Sequence, residues 1–81
     1  MNVEVHLFAA AKDAADAAKV SITLADNATV GTLSEHLVKT YPALKVLQET
    51  LHIAVNSQYA TPDQIIREDD EIACFPPVSG G

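Results

Sequence analysis

An 81-residue chain has room for one domain with a modest core, because a chain of this size buries only about 60% of its unfolded surface. A composition of 48% hydrophobic and 20% charged residues is ordinary for a globular protein, and a net charge of −6 with Lys12, Lys19, Lys39, Lys45 and Arg67 scattered argues against a nucleic-acid partner. No stretch approaches the roughly 20 apolar residues that span a bilayer, the start MNVEVHLFAA lacks the basic-then-apolar order of a signal peptide, and a lone cysteine, Cys74, cannot close an internal disulfide. The expectation is a cytoplasmic protein with no membrane segment.

Val3, Val5 and Leu7 alternate with Glu4, His6 and Phe8, the period-2 pattern of a half-buried strand. AAAKDAADAAK follows; its composition favours helix, but its apolar residues are all small and bury little, so it reads as a short helical turn or loop. VSITL alternates again, with Val20, Ile22 and Leu24 on one face. In DNATVGTLSEHLVKTYP, Thr29 is the candidate N-cap, although Thr32 stands where a capping box wants Glu or Gln. Val30, Leu33, Leu37, Val38 and Tyr41 form one side of the helix, and Pro42 ends it near Thr40. Leu44, Val46 and Leu47 give a short apolar connector. LHIAVN turns Leu51, Ile53 and Val55 inward, Asn56-Ser57 marks a tight turn, and TPDQIIREDDE is turn-rich and polar. EIACF is the last strand.

Two N-terminal strands make a hairpin, and one amphipathic helix covers one face of a single sheet while carrying the crossover to a parallel strand. This order predicts an α+β, ubiquitin-like β-grasp, with one main helix on a four- to five-stranded mixed sheet. Residues 1–75 are the domain and 76–81 an extended, flexible C-terminal tail. A split βαβ fold of ferredoxin type is the alternative, but it needs a second full helix.

Phasing the strands by their large aliphatics leaves His6, Phe8, His52, Ala54, Ala73 and Phe75 on the uncovered face. A solvated sheet face normally alternates into Lys, Glu, Thr and Ser. These residues are instead candidates for a protein-binding surface, unless the early loop folds over part of it.

From that face the chain runs FPPVSGG. Phe75 is an aromatic anchor, Pro76 and Pro77 hold an extended backbone, and Val78 adds a small apolar grip. Ser79, Gly80 and Gly81 then thin to almost bare backbone that can enter a channel closed to side chains. The expected cargo is a terminal carboxylate. Nucleotide activation converts it to a mixed anhydride; attack by a sulfur species then gives a thiocarboxylate, whereas attack by an enzyme thiol and then a lysine gives a protein tag. The tail carries no general base, so a partner must supply the catalytic groups.

DDEIACFPPVSGG, over residues 69–81, resembles the acidic turn, final strand and ending of the small subunit of molybdopterin synthase, the MoaD-type sulfur carriers. HIAVNSQYA is similar to that family's third strand and hairpin, and ATVGTLSEHLVKTYP to its helix. The resemblance implies that an ATP-dependent, E1-like adenylating enzyme activates Gly81 and that sulfur is installed there as a thiocarboxylate. The tail then enters the large subunit of a heterotetramer, where the sulfur builds the dithiolene of molybdopterin. It further implies that Gly81 is the sulfur-bearing position, and that Gly80, Ser79, Val78, Pro77, Pro76 and Phe75 dock. No cofactor is held by this chain alone, which is not catalytic by itself but the sulfur-donating part of a sulfurtransferase. Asp69 and Ser57 stand where the family often has glycine; Asp tolerates the left-handed conformation such a turn would need. A carrier serving thiamine, tRNA or cysteine pathways, a ubiquitin-like modifier and a pure adaptor are the alternatives.

Cys74 shares a face with Ile72 and reads as a core thiol rather than a sulfur relay. His6, His36 and His52 show no metal-ligand spacing. REDDE reads as a solvated turn, with steering of a basic partner as the alternative.

Overall fold

The computed structural model describes residues 1–47 and 51–75. The strand predicted at the start is β1 (Asn2–Leu7), and a short helix α1 (Ala9–Ala15) leads to β2 (Lys19–Thr23). The main helix α2 (Val30–Thr40) is followed by a 3-10 helix (Pro42–Leu47), then β3 (His52–Val55), β4 (Gln58–Tyr59) and β5 (Ile72–Phe75).

The five strands lie in the order β2-β1-β5-β3-β4. Among the described residues the β1–β5 pair is parallel and the other three strand pairs are antiparallel. This is the predicted mixed sheet, and the long return between β1 and β5 contains the crossover helix.

Register shows which residues share a face. Val3 is paired with Ile22, Val5 with Val20 and Ile72, and Leu7 and Ile53 with Cys74. All of these are buried, and Val30, Leu33 and Leu37 of α2 are buried in the same core with Leu44 of the 3-10 helix. Fully burying a leucine such as Leu33 stabilises the fold by roughly 2–3 kcal/mol. Thr29 caps α2 as its sequence suggests, its hydroxyl accepting from the Thr32 N–H at 3.2 Å. The helix stops at Thr40, before Pro42.

Three features depart from the expectations. The alanine-rich stretch forms a two-turn helix with Ala11 fully buried, packed against the 3-10 helix and β5. Small side chains bury little area, yet they let the helix backbone approach closely enough for a methyl group to fill the gap. Val46, expected in an apolar connector, is 87% exposed, while Leu44 fills the core. Asp69 does not adopt positive φ; Asn56 (52°) and Ser57 (69°) do, as a two-residue type I′ hairpin turn requires.

The acidic turn is also more structured than a solvated run. The Asp70 carboxylate accepts from the Arg67 N–H at 2.8 Å and from the Asn56 side-chain amide at 3.0 Å. The Asn56 Oδ1 in turn accepts from the Glu71 N–H at 3.0 Å. Asn56 thereby ties the β3–β4 turn to the segment that launches β5.

Candidate functional site: the open sheet face and the root of the tail

Residues facing away from the helices follow from the same registers. On β1 and β2, Asn2 is paired with Thr23, Glu4 with Ser21 and His6 with Lys19. Lys19 Nζ lies 3.6 Å from a Glu4 carboxylate oxygen, both side chains being well exposed, so that side of the face is ordinary solvated sheet. On β5 and β3, His6 is level with Ala73, Ala73 with Ala54, and Phe75 with His52. The site residues His6, Ala73, Ala54, His52 and Phe75 are therefore brought to one face, as their parity predicts. Phe8 continues the β1–β5 ladder, its N–H donating to the Cys74 carbonyl at 3.1 Å, and is 51% exposed.

Within this set the accessible surface is unevenly shared. His52 is exposed, His6, Ala73 and Phe75 are half-buried, and Ala54 is buried, with only 9% of its surface accessible. Ala54 is thus a floor beneath its neighbours rather than an exposed contact, because a single methyl between Ala73 and Tyr59 presents little surface. The largest apolar member of the patch is one the sequence reading missed. Tyr59 is paired with Ala54 and 70% exposed. Its place was recoverable: a two-residue turn at Asn56-Ser57 pairs Val55 with Gln58, and so puts Tyr59 on the face of Ala54.

Three rings meet where β5 ends. The centroids of His52 and Tyr59 are 5.5 Å apart at 76°, those of His52 and Phe75 5.9 Å at 38°, and those of Tyr59 and Phe75 5.7 Å at 54°. Edge-on and tilted contacts at such spacings suit the ring quadrupoles. Along the β1 side, Glu68, Asp69, Asp70 and Glu71 line a shallow concavity with Asn2, Glu4 and His6, giving the face a negative rim. Pro76, Pro77, Val78, Ser79, Gly80 and Gly81 lie outside the described residues.

Cys74 is fully buried on the opposite face of β5, and burial pushes its thiol up to about 11. A thiol held neutral in the core is a poor nucleophile, which agrees with its reading as a packing residue. His36 is solvent-exposed on α2. Among the described residues no group of three His, Cys, Asp or Glu side chains is arranged to hold a metal ion, and no helix is long and apolar enough to cross a membrane.

Comparison with known proteins places this geometry. The molybdopterin synthase sulfur carrier subunit of Dictyostelium discoideum is 37% identical over 81 residues, covering 96% of this chain and 94% of its own. Its counterpart in Chlamydomonas reinhardtii is 30% identical and covers 100% of both chains. Small archaeal modifier protein 1 of Haloferax volcanii is 32% identical, covering 98% of this chain and 100% of its own. The crystal structure of the Haloferax protein superposes with a TM-score of 0.88 at 30% identity over 100% of each chain. The ThiS family profile matches residues 5–81, so the chain belongs to the ThiS family, as a ubiquitin-like β-grasp protein related to the molybdopterin synthase sulfur carriers.

Proposed function

We propose that this chain is the sulfur carrier and small subunit of a molybdopterin synthase. The observation that carries the reading is the pairing of two features. Relatives of that name match 96–100% of the chain, and the family match runs through the PPVSGG segment to residue 81. The sheet face at the end of β5 holds a ring cluster, with Tyr59 and His52 exposed and Phe75 half-buried between them, suited to a protein partner.

The chemistry is set by what a carboxylate lacks. As an acyl donor its leaving group would be oxide, so a partner enzyme transfers AMP from ATP to a Gly81 carboxylate oxygen, releasing diphosphate. A sulfur nucleophile at the oxidation level of hydrosulfide then attacks the carbonyl and expels AMP, leaving a thiocarboxylate with no net redox change. The slim Gly80-Gly81 end carries this sulfur into the large subunit, where it is delivered to the pyranopterin precursor for dithiolene formation, and the chain returns as the carboxylate. The β-grasp domain supplies no acid or base to these steps. It acts as a handle whose aromatic patch docks on the large subunit, in a heterotetramer with one carrier at each end of a large-subunit dimer. Cofactor binding by this chain alone is not part of the scheme; ATP belongs to the adenylating partner.

A second reading has its own support: small archaeal modifier protein 1 is 32% identical over nearly the whole chain. In that reading the activated Gly81 carbonyl passes to a lysine amine and forms an isopeptide bond. Reconstitution separates the two. With adenylating enzyme, ATP, a sulfide source, large subunit and pyranopterin precursor, the full chain should support molybdopterin formation, and a chain lacking Gly81 should fold normally but support none. Activity without Gly81 would overturn the carrier reading, and lysine conjugates in place of product would favour the modifier.

A further inference from the structure

The open face is stepped in rows. Phe75 and His52 are paired across one rung of the β5–β3 ladder, and Ala73 and Ala54 across the outward rung two residues along. That alanine rung continues to His6 on β1 and to Tyr59 on β4. Its centre is therefore two methyl groups, Ala54 being only 9% accessible. Larger side chains wall it on three sides: Phe75 and His52 along the strands, His6 and Tyr59 across them. On the fourth side, two residues before Ala73, stands Glu71, which lines an acidic concavity with His6 and Glu4.

A partner that covers the rings also closes over the Glu71 carboxylate, two strand residues or about 7 Å from Ala73. Covering a charge without a counter-charge is costly. Among the described residues this face offers no cation for it: Lys19 lies 3.6 Å from Glu4, and Arg67 in the neighbouring turn makes no ion pair. The Glu71 backbone is engaged, its N–H donating to Asn56 Oδ1 and its carbonyl accepting from the Asn56 N–H, but the residue is exposed. Resting on the reading of this face as the docking surface of the large subunit, we infer that the partner lays one arginine side chain across Ala73 and Ala54 and sets its guanidinium on Glu71. The alanine methyls leave depth for the aliphatic stem. The ring walls suit a planar cation, and the carboxylate accepts the guanidinium fork in two parallel hydrogen bonds. Lysine lacks the plane and the fork, and a leucine would leave Glu71 covered and unpaired.

The test measures binding of full-length variants to the large subunit by calorimetric titration. Ala73→Leu fills the recess from a position facing away from the core, and should weaken binding about 10-fold despite its added apolar area. Glu71→Gln should also cost about 10-fold, at low and high salt alike, because a covered charge pair is screened little. Glu35→Gln removes the same charge from the exposed surface of α2 and should change affinity less than about 3-fold. One arginine of the large subunit, changed to alanine, should cost little more in the Glu71→Gln background than Glu71→Gln alone. Undiminished binding by Ala73→Leu overturns the inference, and so do additive losses from every arginine tested. A Glu71→Gln effect that salt abolishes, or that Glu35→Gln matches, also overturns it by reducing Glu71 to general steering. A separate arm needs no large subunit: acetyl-arginine amide titrated into the isotope-labelled chain should shift the amides of Ala54, Glu71 and Ala73, and acetyl-norleucine amide should not. If the wild-type chain does not bind the large subunit, the carrier reading has failed and this titration alone decides. Shifts that are absent, or equal with both probes, then overturn the arginine recess.

Discussion

On the β2–β1 side of the open face, Lys19, Ser21, Thr23, Asn2 and Glu4 alternate outward as solvated strands do, with an exposed Lys19–Glu4 pair between them. On the adjoining β5, β3 and β4 of the same face, the outward positions are Ala73, Phe75, His52, Ala54 and Tyr59, and the rings meet one another. Both halves belong to one sheet over one core, so secondary structure does not explain the difference. Solvation alone calls for the first composition. The second makes physical sense as a surface that a protein partner covers, and its rings gather where β5 ends at Phe75.

The contrast predicts unequal consequences of substitution. Phe75→Ala should weaken binding to the large subunit by about 2 kcal/mol or more, roughly 30-fold, as removal of a central aromatic anchor does. Glu4→Ala or Ser21→Ala should change binding by less than about 5-fold, because exposed polar contacts are worth only ~0.2–1 kcal/mol. Calorimetric titration of the three variants measures both. Equal effects in the two halves would dissolve the distinction.

The aromatic half also depends on a support the solvated half lacks. Asn56 bridges the Asp70 carboxylate and the Glu71 N–H beneath the hairpin that carries Tyr59. Asn56→Ala should cost about 1–2 kcal/mol in denaturant unfolding, with amide shifts concentrated around Tyr59 and β5 and the β1–β2 hairpin little altered.

A pH titration probes the underside of the same strand. The folded Cys74 thiol titrates at about 11, above the ordinary thiol value near 8.5. A group whose pKa is raised by folding contributes stability that is fully present below the unfolded value and lost as pH rises through the folded one. Unfolding free energy should therefore fall between about pH 8.5 and 11, and this part of the decline should vanish in Cys74→Ala. Native Cys74 should also resist alkylation at neutral pH.

The smallest expected effect is at the turn. Ser57 holds φ of 69°, a conformation that costs an L-residue roughly 1–2 kcal/mol and glycine almost nothing. Ser57→Gly should raise stability by up to about 1 kcal/mol and leave partner binding unchanged, which thermal unfolding and titration would show.

Much of this was legible in the residues because the relevant signals are local. Alternation fixed the faces of β1, β2, β3 and β5, and Thr29 and Pro42 bounded α2. Alternation also put His6, His52, Ala73 and Phe75 on one side, because face parity survives without knowledge of strand order. What escaped depends on distance or fit. Tyr59 needed the register of a turn; burial of Ala54 needed its neighbours; α1 needed a surface shaped to accept alanine methyls. Asp70 looked like one more solvated acid until its partner Asn56, fourteen positions earlier, was placed beside it.

Fragment mass measurement on chain purified from sulfur-replete cells tests the central claim most directly. The account predicts a population heavier by about 16 Da, one oxygen replaced by sulfur, with the increment confined to the terminal residue Gly81. An increment found only at Met1 or Cys74, where ordinary oxidation adds a similar mass, with Gly81 always a plain carboxylate, would contradict it.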